Sequence, residues 1–338
     1  MPQISNERVR LTVAEAQELS ERALTRIGYD AEEARIIADH VMDAALCGYE
    51  YSGLPKILNV AEHRRLKLPR QPMRAVHETA VSVRFDGGNS NGMVTMYRAT
   101  QTVIAKAGEH GFAVVGVNNS WMSGRSAHYV EMVARAGMIG IHSVSSTPHV
   151  SAPGSAGPAN GTNPIAFGFP TQGDPLVIDL GTSAFMGTDL QFRQRRDTLL
   201  PEGVAMDAQG RPTRDPSQVH TILPFGGYKG FALALAMQAL GVLAGSSMSY
   251  DKTYGYLIMA IKPDLMLPLA DFQRDMSEML ARVKATPRQP GVDEIRLPGE
   301  RSARERIRLR REGIEIDRKI YETLLAIPQG KLPELRDQ

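Results

Sequence analysis

With 338 residues the chain is long enough for two domains, or for one large domain with an appended subdomain. Thirty-nine basic against 37 acidic side chains leave a charge of +2, which gives no bias toward nucleic acid or acidic membranes, and the single cysteine excludes an intramolecular disulfide framework and a cysteine-rich zinc site. No apolar run approaches the roughly 18 residues of a membrane span and the start is polar, so a soluble, cytoplasmic protein is expected.

In chain order, Thr12-Val13-Ala14-Glu15 has the form of a capping box that opens a helix. A second helix is predicted over 30–46, because Ala34, Ile37, Val41 and Ala45 recur at helical spacing. It stops at Gly48, which begins the polar turn 48–53. The alternating stretch 81–85 reads as a strand closed by a turn at Asp86-Gly87-Gly88. Helix 93–110 ends at Gly111, followed by strand 112–117, helix 126–136 and strand 138–144. Further strands are predicted at 165–169, 176–180 and 256–261, and an almost wholly apolar helix at 231–245. Between them, 191–219 is polar and turn-rich. The charged stretch 300–313 reads as a solvated helix.

Two stretches offer groups that could hold a ligand. In 160–171, the turn Gly161-Thr162-Asn163-Pro164 gathers backbone amides, a hydroxyl and a carboxamide, which suits an anionic or carbonyl-bearing ligand; a plain turn between strands fits it equally. Gly226-Gly227-Tyr228-Lys229-Gly230 places adjacent glycines and a lysine at a helix start. This is either a phosphate seat or a glycine turn with a surface lysine. No Gly-x-Gly-x-x-Gly, Walker-type or Gly-x-Ser-x-Gly motif is present, which removes the Rossmann, P-loop and α/β-hydrolase readings. The eight histidines are scattered without ligand spacing, so no metal site is expected.

Four motifs in order change the reading: Gly161-Thr162-Asn163-Pro164, Asp179-Leu180-Gly181-Thr182-Ser183, Pro224 through Gly230, and Leu297-Pro298-Gly299-Glu300. Together they resemble the malate/L-lactate dehydrogenase type 2 family, which includes ureidoglycolate and sulfolactate dehydrogenases, diketogulonate reductase and piperideine/pyrroline-2-carboxylate reductases. The resemblance runs nearly end to end. It implies an α/β protein with a non-Rossmann cofactor fold: a mixed sheet with flanking helices in a central domain, 79–284, plus a helical domain of 1–78 with 285–338. It also implies a nicotinamide-dependent oxidoreductase that takes NADH or NADPH and works as a homodimer. By the same likeness Ser146, Asp179, Leu180, Thr182, Tyr228, Lys229, Pro298, Gly299 and Glu300 line the cofactor, and Thr162 faces the substrate.

The departures from the family pattern carry as much information. Where the family has Gly-x-x-Ser-His-Gly-x-x-Arg, this chain has Gly48-Tyr49-Glu50-Tyr51-Ser52-Gly53-Leu54-Pro55-Lys56. The proton-donating histidine is thus Ser52, its serine partner Tyr51, and the carboxylate-binding arginine Lys56. Met122 replaces a further histidine, and the family's His-Lys-Gly is Tyr228-Lys229-Gly230, while Asp189 matches the aspartate of the family's relay. A serine hydroxyl does not give up its proton near neutral pH and methionine has none to give; a phenol beside a cation can act as an acid. The expected function is therefore reduction of a C=O or C=N bond, with Tyr51, Ser52 and Asp189 as the catalytic candidates. Lys56, Met122 and Thr162 are the candidates for substrate binding. The alternative is a catalytically degenerate member that binds a nucleotide without turnover.

Overall fold

The computed structural model describes residues 8–247 and 254–334. The chain forms two compact units, Arg70–Gly299 and a second built from Met1–Pro69 with Glu300–Gln338. The terminal unit begins on β1 (Arg8–Leu11) and passes at once into α1 (Val13–Ile27). Thr12 caps α1 as the sequence requires: its hydroxyl accepts the Glu15 N–H at 3.2 Å, and the Glu15 carboxylate accepts the Thr12 N–H at 2.8 Å. Such a cap contributes about 1 kcal/mol. Helix α2 (Ala31–Leu46), capped by Asp30, buries Ala34, Ile37, Val41 and Ala45 along one stripe. A 3-10 turn, Glu50–Ser52, leads into α3 (Pro55–Glu62), all of whose residues are buried, Lys56, Asn59 and Glu62 among them.

In the central unit β2 (Arg74–Glu78) pairs with β3 (Ser82–Asn91), which is why residues 70–78 lie here rather than with the terminal helices. The Asp86-Gly87-Gly88 segment does not end the strand as expected. It is a bulge: pairing shifts register between Asp86 and Ser90, with Gly88 and Asn89 both at φ 61°, and β3 runs on to Asn91. Next come α4 (Gly92–His110), β4 (Phe112–Trp121), α5 (Ser126–Arg135) and β5 (Ile139–Ser145). Short strands β6 (Val150–Ser151) and β7 (Pro158–Asn160) precede β8 (Ile165–Phe169) and β9 (Leu176–Leu180).

The stretch expected to be only polar turns contains α6 (Gly187–Arg196) and β10 (Ala205–Met206), followed by β11 (Thr221–Ile222). Helix α7 (Tyr228–Leu243), strand β12 (Gly255–Ile261) and helix α8 (Leu269–Lys284) complete the unit. Its main sheet has the order β2-β3-β4-β12-β5-β8-β9. Only β3 and β4 run parallel, joined by α4, so the sheet is mixed. A smaller sheet has the order β10-β11-β6-β7. Met96, Val103 and Ala107 of α4 and Tyr129 and Val133 of α5 pack on Val115, Val117 and Ile258 to form the core on one face. On β4 the intervening Gly116 lies under Ala244 at the end of α7, so α7 covers the other face.

The chain then returns to the terminal unit as α9 (Glu300–Glu312), β13 (Ile314–Asp317) and α10 (Arg318–Ala326). Strand β13 pairs antiparallel with β1, placing Leu11 opposite Ile314. Among the described residues no helix is long and apolar enough to cross a membrane.

Candidate active site

In the central unit, the motif segments are tied to one another by backbone hydrogen bonds. The Ser146 N–H donates to Asn163 Oδ1 at 3.1 Å. Asn163 is fully buried, at φ 32°, and its amide donates to the carbonyl of Ala234 at 3.0 Å and to Gln238 Oε1 at 3.1 Å, both on α7. The carboxamide expected to face a ligand therefore pins this loop to the helix. Thr162 is half-buried, and its carbonyl accepts both the N–H and the hydroxyl of Thr182 at 2.9 Å. The Thr182 carbonyl in turn accepts the Phe225 N–H at 3.1 Å. A Cβ on Gly230 would lie 2.3 Å from the Phe225 carbonyl oxygen and 2.7 Å from that of Thr182, so only glycine lets α7 begin there.

The start of α7 fits a phosphate group. Gly226 and Gly227 take φ of 54° and 61°, a conformation other residues avoid, and no side chain caps the helix. Tyr228 and Lys229 are exposed beside it. The Lys229 and Gly230 N–H groups turn back onto the carbonyls of Gly226 and Phe225, at 3.4 and 3.0 Å, so what the helix start offers an anion is its dipole, the Gly226-Gly227 turn and the full positive charge of Lys229. A dinucleotide's phosphates match that arrangement.

The remaining expected residues of this unit lie on separate elements. Asp179 ends β9, where its carboxylate accepts the Ala127 N–H at 2.8 Å in the first turn of α5. Desolvation pushes its pKa up, opposed by that hydrogen bond, the Arg125 charge and the Ser126 N–H. Leu180 beside it is exposed. Gly299, at φ 85°, packs its backbone along Val177 of β9, with Pro298 exposed next to it. Asp189, half-buried on α6, stands 3.4 Å from Arg193; desolvation raises its pKa and the arginine charge opposes the rise. Met122 holds φ at 60°, a strained setting for a side chain of its size, of the order of 1–3 kcal/mol. The preceding Trp121 is buried and anchored by its Nε1–H to the Asn89 carbonyl at 3.0 Å. Asn163 stood in a recognised motif but was read as a ligand-facing group, and nothing in the motif spacing pointed to Ala127 or Arg125, which act on Asp179 from a distant part of the sequence.

Tyr51, Ser52 and Lys56 belong to the terminal unit. Tyr51 and Ser52 are half-buried in the 3-10 turn. The Tyr51 ring meets Tyr49 edge-on, with centroids 6.2 Å apart, and Arg301 of α9 lies over the Tyr49 ring at 4.6 Å. Glu50 is gripped by both oxygens through Arg8 of β1, at 2.9 and 3.0 Å. Lys56 is buried in the first turn of α3, and desolvation draws its pKa down to about 8. Glu300, the last of the expected cofactor residues, opens α9.

The chain belongs to the malate/L-lactate dehydrogenase family, whose description matches residues 11–325; it is an oxidoreductase. It is similar to the ureidoglycolate dehydrogenase (NAD(+)) of Escherichia coli strain K12, at 31% identity over 91% of this chain and 93% of that protein. It is also similar to the Δ1-pyrroline-2-carboxylate/Δ1-piperideine-2-carboxylate reductase of Pseudomonas putida, at 30% identity over 91% and 94%. Among solved structures, the sulfolactate dehydrogenase from Methanocaldococcus jannaschii superposes with a TM-score of 0.83 at 30% identity, covering 95% of this chain and 97% of that one. The mixed, non-Rossmann α/β fold expected from the motifs is the fold of that relative.

Proposed function

We propose that this chain is an NAD(P)H-dependent reductase of a C=O or C=N bond in a small carboxylate substrate, with a proton donor that replaces the family's histidine. The observation that supports this reading best is the gathering of the Ser146, Thr162, Thr182 and Phe225 segments around α7, whose glycine turn and Lys229 at its start suit dinucleotide phosphates. The names of the relatives, one an NAD(+)-dependent dehydrogenase and one an imine reductase, agree with it. When bound, the nicotinamide supplies the hydride.

The chain's own residues then have separate tasks. Lys229 and the Gly226-Gly227 turn hold the phosphates, and Asp179, Thr182 and the Pro298–Glu300 segment line the rest of the cofactor. The Lys56 ammonium, protonated at neutral pH, holds the substrate carboxylate as a single charge, without the two-pronged grip of an arginine. Thr162 and Met122 face the remainder of the substrate. Tyr51 gives its phenolic proton to the developing alkoxide, Ser52 shares a hydrogen bond with the same oxygen, and Asp189 orients a water. An iminium substrate arrives already protonated and does not call on Tyr51.

A second reading, a nucleotide-binding member without turnover, is favoured by one observation: no histidine stands at position 51, 52 or 122. Oxidation of NADH and NADPH with pyruvate, oxaloacetate and Δ1-piperideine-2-carboxylate separates the two. Turnover with at least one of them is expected; cofactor binding with no oxidation across a wider panel of ketones and cyclic imines would favour the second reading.

A further inference from the structure

We propose that Arg301 and Tyr49 are positioning residues that hold Tyr51 in place and link it to the cofactor segment. The proposal rests on the reading of Tyr51 as the acid. Three contacts on the turn carry it. The Arg301 guanidinium lies over the Tyr49 ring at 4.6 Å, the neighbouring Ser302 hydroxyl donates to the Tyr49 oxygen at 3.4 Å, and the other side of the turn is fixed by Tyr49 meeting Tyr51 at 76°. The turn has no slack against α9: a Cβ on Gly48 would lie 3.2 Å from Glu305 Cγ and 3.5 Å from an Arg301 nitrogen.

Arg301 directly follows Glu300, the first residue of α9, which the proposed cofactor segment Pro298–Glu300 ends on. The guanidinium thus connects, through one aromatic ring, a residue beside the cofactor to the residue that gives the proton. A planar cation on an aromatic face is attracted by the ring's negative face and favours one ring orientation. The same chain of contacts would let an occupied cofactor segment tighten the Tyr51 ring.

The test is a double-mutant cycle with Arg301→Gln and Tyr51→Phe, using the wild type's better ketone probe of pyruvate and oxaloacetate. Arg301→Gln is expected to lower kcat about tenfold, with KM, cofactor affinity and melting temperature nearly unchanged, and Arg301→Lys, which keeps the cation, is expected to recover most of it. In the Tyr51→Phe background Arg301→Gln should have no further effect. Multiplying effects, with Tyr51→Phe itself costly, would overturn the positioning role alone. Full turnover in Tyr51→Phe would overturn the acid assignment and the proposal with it.

A second readout needs no substrate. In protein labelled with 3-fluorotyrosine, the Tyr51 resonance, assigned by its loss in Tyr51→Phe, should shift on adding NADH or NADPH. In Arg301→Gln it should not move when cofactor is added. A Tyr51 resonance that responds to cofactor equally in wild type and Arg301→Gln would contradict the link.

Discussion

Lys56 shows how one substitution changes both charge geometry and titration. An arginine in this place would stay charged at any physiological pH, whereas the buried lysine loses its proton near pH 8 because desolvation disfavours the ammonium. If its charge holds the substrate carboxylate, kcat/KM should fall about tenfold per pH unit above roughly 8, the slope of a single deprotonation. Lys56→Arg should remove that limb and leave the alkaline side flat. Steady-state profiles between pH 6 and 10 check this, and an unchanged limb in Lys56→Arg would assign it to another group. At the cofactor end, Lys229 is exposed and adds a direct charge to the helix start, so Lys229→Ala should weaken NAD(P)H binding about tenfold or more, read by calorimetry on the folded variant.

At the scale of elements, α7 has a task at each end. Its N-terminus carries the proposed phosphate seat, and its body is apolar but for Gln238. Ala234 and Met237 face the sheet, while Leu235, Val242 and Leu243 are 50%, 54% and 67% exposed. A helix face of that kind is unstable against water, and a two-fold interface would cover it. Light scattering at micromolar concentration should give twice the 37.0 kDa chain mass, and Leu235→Glu with Leu243→Glu should give the single mass. A monomeric wild type would contradict this.

Elements with local signals were legible in the sequence. The Thr12 box, the Asp30 cap and the stripe at Ala34, Ile37, Val41 and Ala45 all lie within one helix, and the structure places α1 and α2 there. Strand β1 was not legible, because four residues gain their pairing only from β13, some 300 positions away. Helix α8 was missed for a related reason: its first N–H is capped by Asp264 Oδ1 at 2.9 Å from five residues upstream, not by an adjacent Ser or Thr. Asp86-Gly87-Gly88 looks like a turn in composition, and glycine serves a bulge equally well. In the site the motifs were readable, but not their supports. The engagement of Asn163 with α7 is a contact across about 70 residues.

For the whole molecule, two buried histidines contribute to the response to acid. His142 is buried on β5 against Tyr129, and among the described residues neither of its ring nitrogens has a hydrogen-bond partner; desolvation lowers its pKa to about 3. His63 is also drawn down to about 3, by desolvation first and then by the charges of Arg65, Arg64 and Lys56. Between the ordinary value of 6.5 and about 3 the unfolded chain binds these protons and the folded chain does not. Stability therefore falls as pH falls through that window, by up to about 1.4 kcal/mol per pH unit for each histidine. Urea unfolding at pH 7.5 and 5 should show the loss, and His142→Phe, which keeps the ring and removes the titration, should flatten part of it. An equal loss in His142→Phe would place the titration elsewhere.

The central claim, that this fold delivers a hydride to a small carbonyl or imine compound, is tested most directly by following the hydrogen itself. NADH and NADPH carrying deuterium at the transferable position would be incubated with oxaloacetate, pyruvate or Δ1-piperideine-2-carboxylate, and the product analysed by mass spectrometry. The account expects a reduced product one mass unit heavier, with the label on the former carbonyl or imine carbon. Bound cofactor that remains reduced, with no labelled product from any ketone or cyclic imine offered, would contradict it.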